Sequence, residues 1–411
     1  MNMRKWIYEA LYEIKWNKTY SNLYLKNNLK KCPEKDRNLA TRIVYGTIQN
    51  YMFCEYVWSQ YIHRKIPKTI QIILTMSVYQ LLFLDKVPAY AIVNEAVDLT
   101  GSLQPSMKGL VNAVLHKIKR ENIQWPAEEM DRLSITYSCP KWLLMMWKSQ
   151  YGYDAMIQMA KASLEILPVT VRRNPMRIST EELIASTQFE PLGPFLFIYK
   201  GQDIAASQFY QNGQISVQDK GSYEISRWMD AKPNENILDC CGAPGTKSMA
   251  MAEQMEDQGN ITCLDMYPHR VKLIQSDQKR LHLSCITAKV QDATDLSGYG
   301  VYDKVLCDVP CSGYGVMARK PDIKLHMQST DMDSLIPVQY QILQEASKHV
   351  KDDGILIYST CTLNKKENEK QIERFLKENK AFTCIEQRTL IPNEFMDGFF
   401  IAKMQYKKSL I

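Results

Sequence analysis

Four short apolar runs, most of them followed by helical sequence, constrain this chain more than any other feature. They cover residues 236–239, 261–265, 302–308 and 355–358. Strand–helix alternation of this kind builds a mostly parallel sheet covered on both faces, because a parallel crossover needs a helix to carry the chain back. In such doubly wound folds ligands sit in the crevice outside the carboxyl ends of the strands. The residues just past each run are therefore where chemistry is expected.

That pattern begins only near residue 214, and 411 residues is too long for one ordinary domain. Residues 1–125 carry helical signals instead. Ile7, Leu11 and Ile14 share one face, Leu39, Ile43, Val44 and Thr47 share another, and prolines punctuate the region at helix-length intervals. An all-α bundle of six or seven helices is expected there. The most apolar stretch, 70–84, is broken by Gln71, Thr75, Ser77 and Gln80, and reads as a buried helix rather than a membrane span. Residues 127–165 read as a helical connector. Strands at 169–173 and 195–199 around a short helix near 180–186 then form a small α+β module. The expected domains are 1–130, helical; 131–215, connector plus module; and 216–411, the sheet domain.

Charge separates these parts. Residues 1–130 hold 18 Lys and Arg against 11 Asp and Glu, while the remainder is nearly balanced. A basic front domain suits an anionic partner. The 11 cysteines are odd in number, spread along the chain and never spaced as CxxC, so reduced thiols in a cytosolic protein are expected, not a disulfide framework or a metal site. The mixed charges of the first 16 residues leave no apolar signal core, which points to a soluble, cytoplasmic protein.

The first strand runs into Cys240-Cys241-Gly242-Ala243-Pro244-Gly245-Thr246-Lys247 and then a helix. Glycines there let the backbone approach a ligand, and the helix start offers free N–H groups. Neither GxxxxGK[ST] nor GxGxxG is present. Asp265 ends the second strand, where an acid accepts hydrogen bonds from a ribose diol, and Asp292 follows a short strand at 286–290, within reach of an adenine amino group. Three loops converging on one crevice suit a nucleoside cofactor. Asp308-Val309-Pro310-Cys311-Ser312-Gly313 and Tyr358-Ser359-Thr360-Cys361-Thr362 lie at the ends of neighbouring strands. A buried, inert thiol is the usual fate of a cysteine, and that reading holds for Cys240, Cys263, Cys285, Cys307 and Cys384. Cys311 and Cys361, in crevice loops beside an acid, are candidates for chemistry.

These blocks resemble the RsmB/Sun family of bacterial 16S rRNA (cytosine-5) methyltransferases. The signatures are DCCGAPGTK, DVPCSGYG, YSTCTLNKKENE and the closing Asp397-Gly398-Phe399-Phe400. Toward the front, 37–46, 87–96 and 108–115 are similar to its NusB-like helical RNA-binding domain. The likeness spans nearly the full length; one departure is Thr246, where the family usually has Gly. It implies a multidomain fold: a NusB-like bundle, a small α+β RNA-binding module and a Rossmann-like domain. It further implies S-adenosylmethionine held by 241–247, Asp265, Asp292 and Asp308, without a metal. The substrate implied is 16S rRNA, unassembled or in an early particle, and the enzyme is expected to act as a monomer.

Carbon 5 of cytosine is a poor nucleophile until a thiolate adds to carbon 6. The resemblance assigns that thiolate to Cys361, charge stabilisation at the base to Asp308, and assistance in product release to Cys311. DNA cytosine-5 methyltransferases use the Pro-Cys cysteine instead, so the Thr-Cys cysteine favours RNA. Arg172 and Arg173 are expected to hold phosphates near the flipped-out base. Another RNA such as tRNA is an alternative target. A dehydrogenase would also place an acid after its second strand, but GxGxxG is missing. A non-catalytic RNA-binding protein would leave Cys311, Cys361 and Asp308 unused.

Overall fold

A computed structural model describes residues 2–410. The chain forms two compact units: residues 1–165 with 316–329, and residues 166–315 with 330–411.

The first unit is helical. Seven α-helices run from Met3–Trp16 to Lys108–Lys117, and three more follow: Glu129–Thr136, Lys141–Tyr151 and Tyr153–Ala162. The helix Lys68–Phe83 is buried through most of its length, as its apolar sequence implies. Its polar residues are buried too, because each turns back on its own helix. Thr75 donates to Gln71 O at 2.7 Å, Ser77 to Ile73 O at 2.7 Å and Gln80 to Met76 O at 2.8 Å, so these donors are satisfied inside the core, while Gln80 Oε1 is left without a donor among the described residues. Gly46 lies against this helix, where a Cβ would fall 2.0 Å from the Tyr79 ring. The stretch expected as a connector packs with these helices, burying Leu143, Leu144 and Trp147. Residues 316–329 join the same unit. Asp322 accepts from the Ser21 hydroxyl, and Lys324 donates to Tyr137 O at 3.2 Å.

The second unit holds two sheets. In the smaller, β1 (Thr170–Arg173), β2 (Phe189–Pro191), β3 (Leu196–Tyr199) and β4 (Ile215–Val217) pair antiparallel in the order β2-β3-β1-β4. The helix Thr180–Ala185 starts on a capping box between Ser179 and Glu182. The larger sheet contains β5 (Asn236–Asp239), β6 (Asn260–Asp265), β7 (Ile286–Val290), β8 (Tyr302–Asp308), β9 (Val350–Thr360), β10 (Phe382–Leu390) and β11 (Phe399–Tyr406). Its order is β10-β11-β9-β8-β5-β6-β7, with β5 to β9 parallel and the last two antiparallel. The chain order reverses at β5, which pairs with β6 on one side and β8 on the other. That reversal opens a crevice at the carboxyl ends. Leu238, Leu264, Val305, Leu356 and Tyr358 fill the core beneath it. Among the described residues no helix is long and apolar enough to cross a membrane.

Candidate active site

Parallel pairing sets Asp308 of β8 directly opposite Ser359 of β9. The loops leaving these strands therefore emerge side by side, and they bring Cys311 Sγ to 3.3 Å from Cys361 Sγ. Cys311 is pushed well above the usual thiol range, first by its hydrogen bond to Cys361 and then by burial. Asp308, which ends β8 three residues before Cys311, accepts from Ser359 Oγ at 2.8 Å and from Lys247 Nζ at 2.6 Å. Burial alone would lower the Lys247 ammonium, but Asp308, Asp239 and Cys361 together outweigh it, Asp308 most, and hold Lys247 above its ordinary value. Lys247 also lies 5.9 Å from the centre of the Phe399 ring. The arrangement can keep one thiolate beside a fixed cation while the second sulfur remains a proton donor.

The other side of the crevice is acidic. Gly242 presses against the end of β5, where a Cβ would meet Cys263 Sγ at 2.2 Å and Asp239 Oδ2 at 2.8 Å. Gly245, with φ +109°, then turns the chain into the helix Thr246–Gln254. Asp265 is 3% exposed; it accepts from Tyr267 N at 3.0 Å and pairs with Arg270 at 3.0 Å. Arg270 also donates to Ala243 O at 2.7 Å, tying β6 to the glycine turn. Asp292 is exposed beyond β7, and its Oδ1 accepts from Thr294 N and Oγ1 at 2.9 and 2.8 Å. Asp239 is fully buried at the end of β5; burial raises its carboxyl to about 6, against the hydrogen bond from Ser248. Among the described residues nothing donates to Asp239 Oδ1. A buried acceptor with spare capacity, a glycine turn and two further acids fit a ligand bearing an amino group and a ribose.

Two family models match the chain. One, described as 16S rRNA methyltransferase RsmB/F, covers residues 226–405, and one described as the NusB family covers residues 1–120. A probable ribosomal RNA small subunit methyltransferase B of Bacillus subtilis (strain 168) is 34% identical, with 97% of each chain covered. The chain belongs to the RsmB/F family of 16S rRNA methyltransferases. A probable ribosomal RNA small subunit methyltransferase B of Synechocystis is 30% identical over 98% of this chain and 99% of its own. The crystal structure of PH0851 shares the fold, with a TM-score of 0.81, 24% identity and 97% coverage of each chain. This chain is an RNA methyltransferase with the family's helical front and Rossmann-like back.

Within this RsmB/F-family chain the structure gathers Cys311, Cys361, Asp308 and Lys247 at one end of the crevice. Asp265 and Asp292 lie along the edge formed by β6 and β7. The core cysteines Cys240, Cys263, Cys285 and Cys307 are buried, and Cys384 is half-buried. One expectation is overturned. Arg172 does not face solvent to hold phosphates: it is 2% exposed, with Nε and Nη2 at 2.8 and 2.7 Å from the Glu253 carboxylate and Nη1 3.1 Å from Thr246 O. Both faces of β1 are covered, Val171 lying in the small module's core and Arg172 against Glu253, so only Arg173 at the strand's end is partly exposed. Arg173 takes the other face, its guanidinium 5.1 Å from the Phe195 ring centre. Asp239, Arg270 and Glu367 were not singled out from sequence. Asp239 shared with Asp265 the signal of an acid ending a strand; Glu367 stood inside the YSTCTLNKKENE signature without being given a role, and Arg270 had no signal.

Proposed function

We propose that this chain transfers a methyl group from S-adenosylmethionine to carbon 5 of a cytosine in 16S rRNA, through a covalent link between Cys361 and the base. The observation that carries this reading is the pair of sulfurs 3.3 Å apart in the loops that leave β8 and β9, just past the paired Asp308 and Ser359. A cysteine beside a cation is a nucleophile, and a second thiol that holds its proton is an acid. Cys361 adds to carbon 6, placing an electron pair on carbon 5. Asp308, held by Ser359 and Lys247, is positioned to hydrogen-bond the base as charge develops. The bound cofactor supplies an electrophilic methyl group on a sulfonium. Carbon 5 takes the methyl group, leaving the sulfonium a neutral thioether, and water then carries off the carbon 5 proton. The freed pair re-forms the 5,6 double bond, and Cys361 leaves carbon 6 as a thiolate, with the Cys311 thiol donating a hydrogen bond to the departing sulfur. The buried Asp239 oxygen suits the cofactor's ammonium group, and Asp265 and Asp292 suit its ribose and adenine.

The relatives named as small subunit methyltransferases support ribosomal RNA as the substrate. The basic 1–130 region would hold phosphates while the target base leaves its stack.

The two cysteines test the reading. Cys361→Ala should lose methyl transfer by about four orders of magnitude and form no adduct. Cys311→Ala should attack and methylate yet release product slowly, so a protein–RNA adduct accumulates on a denaturing gel with labelled rRNA. Adduct from Cys361→Ala and none from Cys311→Ala would reverse the assignment.

A further inference from the structure

Glu367 lies in a turn before the helix Glu369–Glu378, within the stretch Asn364-Lys365-Lys366-Glu367. It is fully buried. Its two carboxylate oxygens accept four hydrogen bonds. Ser312 Oγ and Asn364 Nδ2 reach Oε1 at 2.5 and 3.0 Å, and Ser312 N and Gln339 Nε2 reach Oε2 at 3.0 and 2.9 Å. Gln339 Nε2 also donates to Pro310 O at 3.0 Å. Ser312 follows Cys311, and its hydroxyl is 2.7 Å from that of Thr362, which follows Cys361. Because Ser312 donates to the carboxylate, Thr362 donates to Ser312, and Thr362 in turn accepts from Tyr314 N at 3.2 Å. One carboxylate thus terminates a chain of donors linking the two cysteine loops through the residues next to each sulfur.

We propose that Glu367 is a positioning residue that sets the distance and alignment of the Cys311 and Cys361 sulfurs. The inference rests on the two-cysteine reading above. An ionised carboxylate is suited to the task because it is acceptor-only, with about four lone-pair sites for four donors. Glutamine has nearly the same shape but turns an NH2 toward two of those donors. A carboxylate buried at this position is also hard to explain by stability alone, since desolvating it is costly.

Glu367→Gln is the test, with Ser312→Ala as the milder variant should the first fail to fold. Turnover of methyl transfer at saturating rRNA should fall about 100-fold, as for a misplacement of about 1 Å at a reacting pair. The KM for rRNA and the affinity for S-adenosylmethionine should stay within about threefold. The pH profile of iodoacetamide alkylation at Cys361, read by mass spectrometry, should shift in both variants, which a merely structural role would not produce. Unchanged turnover and an unchanged alkylation profile, in Glu367→Gln or in Ser312→Ala if the former is unfolded, would overturn the inference. Full methyl transfer by Cys361→Ala would instead overturn the underlying mechanism, whatever Glu367 does.

Discussion

At the ends of β8 and β9, Ser312, Asn364 and Gln339 spend their donors on one buried carboxylate, and Ser359 and Lys247 spend theirs on Asp308. At the ends of β5 to β7 the same crevice keeps capacity in reserve. Among the described residues Asp239 Oδ1 has no donor, and Asp292 faces solvent with one oxygen engaged by its own loop. The contrast follows from what each side must do. Covalent attack needs atoms held to fractions of an ångström, which saturated hydrogen bonding supplies. A ligand that comes and goes needs acceptors left for it, at some expense to stability.

After loss of the nucleophile itself, removing charge from the saturated side gives the largest expected effect. Asp308→Asn keeps the shape but leaves the half-buried Lys247 ammonium without its anion. Single-turnover methyl transfer should fall by about 10²–10³-fold, the usual loss when a preorganised charge-stabilising group is removed. A rate within threefold of the unmodified enzyme would mean that Asp308 is no part of the chemistry, and the contrast between the two sides would fail.

How much of this was legible in sequence differs in the same way. The strands, the glycine turn and the two crevice cysteines were readable because each is a local pattern: an apolar run, a strand end, a loop. The helix Lys68–Phe83 was readable as buried despite its polar residues. What failed depended on partners distant in the chain. Val171-Arg172-Arg173 shows two charges on a strand, and only Glu253, 81 residues on, decides which is buried. Glu367 stands in a run of Lys and Glu with no apolar pattern, and its donors come from positions 312, 339 and 364. The return of residues 316–329 to the helical unit also has no local signature, since it rests on Ser21 and Tyr137. The antiparallel pair β10 and β11 was missed because Phe382–Leu390 alternates too weakly, with most of its residues outside the core.

On the reserve side, Asp265→Ala should weaken S-adenosylmethionine binding by about 1.5–3 kcal/mol, roughly 10–100-fold in Kd, if a charged acceptor to the ribose is lost. The variant also frees Arg270, which holds both Asp265 and the Ala243 carbonyl, so the glycine turn should loosen as well. Asp292→Ala removes an exposed acid and should cost less than Asp265→Ala. Isothermal titration calorimetry of the two variants ranks them. Equal losses would show that burial at the end of β6 confers no advantage on Asp265.

The smallest effect sharpens the comparison through pH. Burial holds the Asp239 carboxyl at about 6, above its ordinary 3.8. The folded chain therefore keeps this proton over a range where the unfolded chain has lost it. The stability Asp239 contributes is present below about 4 and is lost as pH rises through about 6, so the ligand-free protein carries a buried charge at neutral pH that its hydrogen bond from Ser248 offsets only in part. A bound ammonium group reverses the balance, because it favours the ionised form. Affinity for S-adenosylmethionine should then be flat above pH 6 and fall about tenfold per unit below it, as the acceptor becomes protonated. Asp239→Asn should bind more weakly at pH 7.5 and lose that dependence. Calorimetry from pH 5 to 8 on both proteins decides: parallel profiles would assign the titration to another group and leave the spare Asp239 oxygen without a role in holding the cofactor.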